Sequence, residues 1–171
     1  MSSYDDLLTR RSVRSFVPGK KISAEDMKKL LRAAMYAPSA RNCQPWEFIV
    51  VDNDDVIQEI SGVHPYASFL KDAGQAVVVC GNLEEQYDKD YWTVDCAAAT
   101  ENLLLACHSL GLGACWCGIY PNQERIEAFT RLFDLPAHIK PLALVVIGYP
   151  RLEARQPAER FDETKVHYNK Y

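Results

Sequence analysis

Residues 95–110 constrain the fold more than any other stretch. They carry Ala97-Ala98-Ala99 and then Leu103-Leu104-Leu105-Ala106. At helical spacing the run is apolar nearly all round, and such a helix has to be buried on several sides. A chain of 171 residues supports one substantial core for it to cross. Its small residues permit close approach of a second element. In a domain of this size that element is commonly a symmetry mate, so a dimer interface is expected here. Gly111 stops the helix.

Four apolar runs read as buried strands around it: 47–52, 76–80, 114–119 and 142–147. Further helices are predicted over Tyr4–Leu8 and after Ser23. Ser23 forms a capping box with Asp26, and the helix buries Met27, Leu30, Leu31 and Ala34. Pro38 ends that helix. A helix over 54–60 is capped by Asp54 and stopped at Gly62, a turn or two follows from Pro65 to Leu70, and Asn122 caps a helix carrying Ile126, Phe129 and Phe133. Residues 82–90 form a charged exposed loop that could cover a site, and 135–141 form another loop. With no repeat and no dividing linker, the pattern predicts one layered domain of strands and helices over 1–171. The final twenty residues are polar to Arg160. Val166-His167-Tyr168 and Tyr171 then restore apolar weight, so this tail is expected to wrap the core or a partner subunit.

The composition narrows function mostly by exclusion. Net charge is -4, which provides no general attraction to nucleic acid or anionic membrane. No apolar run is long enough to span a bilayer. The opening Met-Ser-Ser-Tyr-Asp-Asp has no secretory pattern, so the expected location is the cytoplasm. Six cysteines, at 43, 80, 96, 107, 115 and 117, lie mostly in apolar stretches and read as buried thiols. The four histidines show no metal spacing. Gly111-Leu112-Gly113 follows a helix and precedes a strand, the reverse of a dinucleotide fingerprint. No nucleophile elbow or Walker loop occurs. Any enzymatic chemistry is therefore expected to reside in a cofactor.

Four groups of polar positions are left over. Asn42 and Gln44, in the loop from Pro38 to Trp46, each offer a donor and an acceptor. They suit the edge of a flavin or a nucleobase, or else they bond their own backbone. If Arg10-Arg11-Ser12-Val13-Arg14 is extended, Arg10, Ser12 and Arg14 share one side and can hold an anion. Otherwise Arg10 and Arg11 simply cap a helix. Gly118 marks either close approach of another group or a strand end. Arg160 is the fourth.

Together these residues carry a resemblance. Arg-Arg-Ser-Val-Arg-Ser-Phe, then Ala-Pro-Ser-Ala-Arg-Asn-Cys-Gln-Pro-Trp before a strand, then Gly-Leu-Gly-Ala-Cys-Trp-Cys-Gly, a closing Gly-Tyr-Pro and a terminal Val-His-Tyr resemble the nitroreductase family of FMN-dependent oxidoreductases. The resemblance runs from about Leu7 to Tyr168 and implies an α+β three-layer sandwich. Its sheet is mixed but mainly antiparallel and flanked by helices, in an intertwined homodimer with FMN at the interface. It implies that Arg10, Arg11, Ser12 and Arg14 hold the FMN phosphate and ribityl chain. Pro38, Ser39 and Ala40 would cross to the flavin of the other subunit, and Asn42 and Gln44 would bond the ring and ribityl. Cys117 and Gly118 would face the reactive nitrogen through their backbone, and Arg160 would meet the phosphate. NADH or NADPH is the implied co-substrate, and an electron-poor small molecule, a nitroaromatic or a quinone, the acceptor. No side chain need act as a catalytic acid or base. Two departures remain open: a flavin-binding sensor or store without turnover, and a dehalogenase-type reaction on the same cofactor. Cys43 and Cys117 sit beside the implied flavin, and the Cys117 thiol is expected to be incidental.

Overall fold

The computed structural model describes residues 2–152 and 157–171. Its sheet holds β1 (Trp46–Val51), β2 (Ala76–Asn82), β3 (Gly113–Gly118) and β4 (Ile139–Gly148) in the order β1-β2-β4-β3. All three pairings are antiparallel. The central strands β2 and β4 are buried on both faces, which explains their unbroken Val, Ile and Leu runs.

Helices cover both faces of the sheet. On one side α2 (Ala24–Met35) and α5 (Tyr91–Ser109) pack on Val77, Val79, Ala143, Val145 and Ile147. On the other, α3 (Asp54–Val63), α4 (Leu70–Ala73) and α6 (Gln123–Leu132) pack on Val78, Cys80, Leu144 and Val146. The alternation of side chains along each strand divides the two cores. The short α1 (Ser3–Thr9) buries none of its own residues and rests on α5. The fold is thus an α+β three-layer sandwich, as the resemblance implies. Among the described residues the one parallel contact is a single bridge, Ser12 to Ala114. No described helix is long and apolar enough to cross a membrane.

Several boundaries differ from the sequence reading, each for a local reason. Helix α5 starts at Tyr91, one turn before 95, because Trp92 is buried on the sheet against Gly81. Asn53, not Asp54, caps α3 by accepting from the Asp55 and Val56 amides, and the helix runs past Gly62. Ser23 caps α2, but Asp26 accepts the Ser23 hydroxyl at 2.9 Å instead of closing the box onto the backbone. The helix expected over Pro65–Leu70 is displaced to Leu70–Ala73 and ends on Gly74 in the left-handed conformation. Strand β4 begins at Ile139, within the expected 135–141 loop. A register shift between Val79 and Cys80 lets Pro141 sit there without a ladder donor.

At Gly81 the Trp92 ring of α5 lies hard against the sheet. A Cβ built on Gly81 would overlap the Trp92 ring, meeting Cδ2 at 3.0 Å. Gly81→Ala is expected to destabilise the fold by about 1–3 kcal/mol through overpacking. Thermal unfolding checks this: an unchanged melting temperature would mean that Trp92 repacks freely.

Candidate functional site

Helix α5 organises the polar positions as well as the core. Glu101 Oε1 lies 3.2 Å from Arg10 Nε. His108 Nε2 is 2.8 Å from Thr9 Oγ1. Asp95 Oδ1 accepts the Ala40 N–H at 3.0 Å. Two of the segments singled out in the sequence are therefore fixed to one helix.

The first segment changes character midway. Arg10 closes α1, its N–H donating to Asp6 O at 3.0 Å, so the helix-cap alternative for Arg10 is realised. Beyond it the chain is extended. The Val13 N–H donates to Ala114 O at 2.9 Å, and Val13 lies so close to Gly113 that a Cβ there would meet it at 2.8 Å. Ser12 and Arg14 are exposed while Val13 is half-buried, as alternation requires. Arg10 and Arg11 both line a shallow cleft with Val13, Leu104 and His108. The expected one-sided set of Arg10, Ser12 and Arg14 is thus split: Arg10 is oriented by the helix, Ser12 and Arg14 by the strand.

The second segment is a strained loop. After the exposed Pro38 and half-buried Ser39, a single 3-10 turn spans Ala40–Asn42. Arg41, Asn42 and Gln44 all adopt positive φ, at 49°, 59° and 52°. Each such residue costs roughly 1–2 kcal/mol. The Gln44 N–H donates to Ser39 Oγ at 3.0 Å, and Gln44 Nε2 donates to Asn42 Oδ1 at 2.8 Å. The paired amides still offer the Asn42 NH2 group and the Gln44 carbonyl from an exposed position. Beneath them Asp95 is buried, and its Oδ2 has no hydrogen-bond partner among the described residues. The turn at 83–90 touches this loop: the Arg41 guanidinium lies 4.6 Å from the centre of the Tyr87 ring, which is edge-on to Tyr91.

Gly118 ends β3, one of the two edge strands of the sheet. Ala114 presents its carbonyl outward to Val13, so two-residue periodicity turns Gly118 outward as well. Its carbonyl accepts Arg125 NH1 at 2.8 Å and His64 Nε2 at 3.2 Å. A Cβ on Gly118 would meet nothing nearer than Tyr120 O at 3.9 Å, so crowding within the chain does not demand glycine. Cys117 turns the other way, into the core, with Sγ 3.8 Å from Tyr66 O.

Arg160 is exposed. With Pro157, Ala158 and Glu159 it faces Leu7, Leu8, Thr9 and Arg10 across a cleft of about 330 Å³. Neither Asn42, Gln44 nor Gly118 lines that cleft. Residues 153–156, within the tail predicted over 151–171, lie outside the described residues.

Burial argues against thiol chemistry at Cys80, Cys96 and Cys107. Burial pushes Cys80 and Cys107 up to about 12, and Cys96 is raised for the same reason. The neighbouring Cys115 and Cys117 thiols oppose each other, Cys117 being raised and Cys115 lowered, with Arg14 favouring the charged Cys115. His64 is held below 6.5, chiefly by burial; the Gly118 bond opposes this and the Arg125 charge adds to it. Among the described residues no three His, Cys, Asp or Glu side chains are grouped to hold a metal.

Sequence reading missed Asp95, Glu101, His64 and Arg125. An acid at the start of an apolar helix was a signal for Asp95. Nothing local marks His64 or Arg125, which meet Gly118 only through the fold.

The sequence profile described as Nitroreductase family matches residues 7–64 and 61–149. A Methanothermobacter thermautotrophicus protein, provisionally named NADH dehydrogenase/NAD(P)H nitroreductase, is 40% identical over 100% of this chain and 88% of its own. A crystal structure from Clostridium acetobutylicum, provisionally named an NADH oxidase, superposes with a TM-score of 0.92 at 42% identity, covering 98% of this chain and 100% of that one. An FMN-dependent nitroreductase from Clostridium difficile superposes at 0.88 with 29% identity, covering 97% and 98%. The chain belongs to the nitroreductase family.

The lowered His64 sets a pH dependence. Between its folded value and 6.5 the unfolded chain binds more protons than the folded one. Its stabilising contribution is therefore complete above pH 6.5 and is lost as pH falls through the folded value. Denaturant midpoints are expected to drop from pH 7 to pH 5, and less steeply in His64→Gln. Parallel pH profiles for the two proteins would contradict the assignment.

Proposed function

We propose that the chain is an FMN-dependent oxidoreductase that uses NADH or NADPH to reduce electron-poor small molecules such as nitroaromatics or quinones. The observation that carries this reading is the cleft shared by Arg10 and Arg160, 150 positions apart in a member of this family. The residues suit the cofactor. Two guanidinium groups across one cleft suit its phosphate. The exposed Asn42–Gln44 pair suits a ring edge that alternates donors and acceptors, and the open space at Gly118 admits a group against the backbone.

Arg10, Arg11, Ser12, Arg14 and Arg160 would hold the phosphate and ribityl chain. Glu101 orients the Arg10 fork from its Nε side, leaving the terminal nitrogens to donate. Pro38, Ser39 and Ala40 would carry the loop towards the cofactor of a second subunit, and Asn42 and Gln44 would bond its ring. The outward Gly118 N–H would favour the charge that develops on hydride transfer. Cys117, whose backbone pairs with Leu144 of β4, would act only by holding Gly118 in place. The chemistry supplied by bound FMN is hydride acceptance from NADH or NADPH and its delivery to the acceptor, in a ping-pong sequence through one pocket.

The homodimer is part of this proposal. The exposed Val94 and the half-buried Ala98 and Leu105 lie along one face of α5. Phe161, Tyr168 and Tyr171 in the tail are exposed. A second copy would cover both, making 1–171 one FMN-binding domain whose tail packs on its partner.

The purified protein is expected to be yellow, to release FMN on heating and to bleach with NADH or NADPH. Colourless protein that takes up no added FMN would overturn the site. Bleaching by neither nucleotide would leave only flavin binding. In the Arg10→Ala/Arg160→Ala double variant, FMN affinity is expected to fall on the order of a hundredfold or more, since each charge-assisted bond contributes about 1.5–3 kcal/mol. Fluorescence titration of the apoprotein reads this, and an unchanged Kd would remove both residues from the phosphate site.

A further inference from the structure

His64 and Arg125 share a target with no obvious structural need for two donors. His64 is 1% exposed and lies between the Tyr66 and Phe129 rings, both edge-on to it. The Tyr66 N–H is 3.3 Å from its Nδ1, which therefore accepts and leaves the proton on Nε2. That Nε2–H donates to Gly118 O at 3.2 Å. Arg125, on the first turns of α6, donates to the same oxygen at 2.8 Å, with its guanidinium 5.2 Å from the centre of the Tyr66 ring. Asn122 fixes that end of α6 by accepting the Arg125 N–H at 2.9 Å.

A glycine at a strand end is the least restrained of residues. The peptide before Gly118 is held by the pairing of Cys117 with Leu144. The peptide after it is held by the two donors on Gly118 O and by the Ile119 N–H, which donates to Leu142 O at 3.1 Å. Restraint on both sides leaves the Gly118 N–H one direction, off the free edge of the sheet.

We propose that His64 and Arg125 are positioning residues for hydride transfer: by clamping the Gly118 carbonyl they fix the Gly118 N–H at the edge of β3 where the reacting group docks. This rests on the reading of Gly118 as the residue that faces the flavin. Neither side chain touches the reacting atoms. Their effect is geometric, and at a reacting centre small misplacements carry large rate penalties.

The test uses full-length protein loaded with FMN, and the variants Arg125→Met, His64→Leu and His64→Gln. Three quantities are read: FMN occupancy, the midpoint potential of the bound flavin, and the anaerobic rate of its reduction by NADH or NADPH. The Gly118 carbonyl 13C resonance is followed in the same proteins without FMN. Occupancy is expected to stay within about twofold of the parent. Reduction should slow on the order of tenfold in Arg125→Met and in His64→Leu, the potential should become more negative, and the Gly118 resonance should move. His64→Gln retains a donor and is expected to restore most of the rate. Arg125 is only half-buried, so Arg125→Met keeps the test open if His64→Leu fails to fold. Parent-like rate and potential in fully loaded Arg125→Met, with its Gly118 carbonyl resonance unmoved, would overturn the clamp alone. Failure of the parent protein to bind FMN would overturn the site reading and the clamp with it.

Discussion

Everything in this fold leans on α5. The helix is buried through Trp92, Cys96, Ala99, Leu103 and Cys107, so it cannot shift without opening the core. Its few polar residues reach outward to the chain's irregular parts. Asp95 takes the loop after α2, Glu101 takes Arg10, and His108 takes Thr9. Asn102 Nδ2 adds a bond to Ala33 O at 3.1 Å near the end of α2. Segments with little apolar weight thus borrow rigidity from the best-packed element. Positioned binding groups need this arrangement, because loops alone hold geometry poorly.

The layers were legible because the sequence patterns that specify them are local. Continuous apolar runs at 76–80 and 142–147 could only be central strands in a sheet covered on both faces. The all-round apolar run in α5 could only be buried. What misled was capping and termini. Asn53 and Asp54 are both competent caps, and one hydrogen-bond geometry decides between them. The start of β4 depended on a register shift opposite Pro141, which no pattern in residues 135–141 encodes. The start of α5 depended on Trp92 finding Gly81, eleven residues earlier and on another element.

The candidate site was legible to a different degree. Exposed polar residues at 10–14 and 38–44 stood out because no core needed them. Their supports did not stand out. Asp95 alone carried a signal, as an acid in an apolar helix; Glu101, His64 and Arg125 look ordinary in sequence, since an exposed-type acid on a helix or a histidine before a proline usually has no partner of note. Each acquires its partner through topology: Arg125 lies seven residues beyond Gly118 but His64 lies 54 before it. The visible residues are those that would meet a ligand, and the invisible ones hold them in place.

The 38–44 loop shows why such support is needed. Three left-handed residues together cost about 3–6 kcal/mol, more than the roughly 0.5–1.5 kcal/mol that one hydrogen bond, such as that accepted by Asp95, typically returns. The loop therefore persists only because several contacts share the strain. Gln44 N–H bonds Ser39 Oγ, Asn42 N–H bonds Ser39 O at 3.0 Å, and Asn82 N–H bonds Pro45 O at 2.6 Å. None of these lies in the hydrophobic core. Free energy of opening follows buried contact, so this loop belongs to the less stable part of the molecule even though its anchor belongs to the most stable. A loop so held is stiff enough to present Asn42 and Gln44 side by side. Asp95, buried and holding the Ala40 N–H through Oδ1, is the point at which this loop is tied to the core.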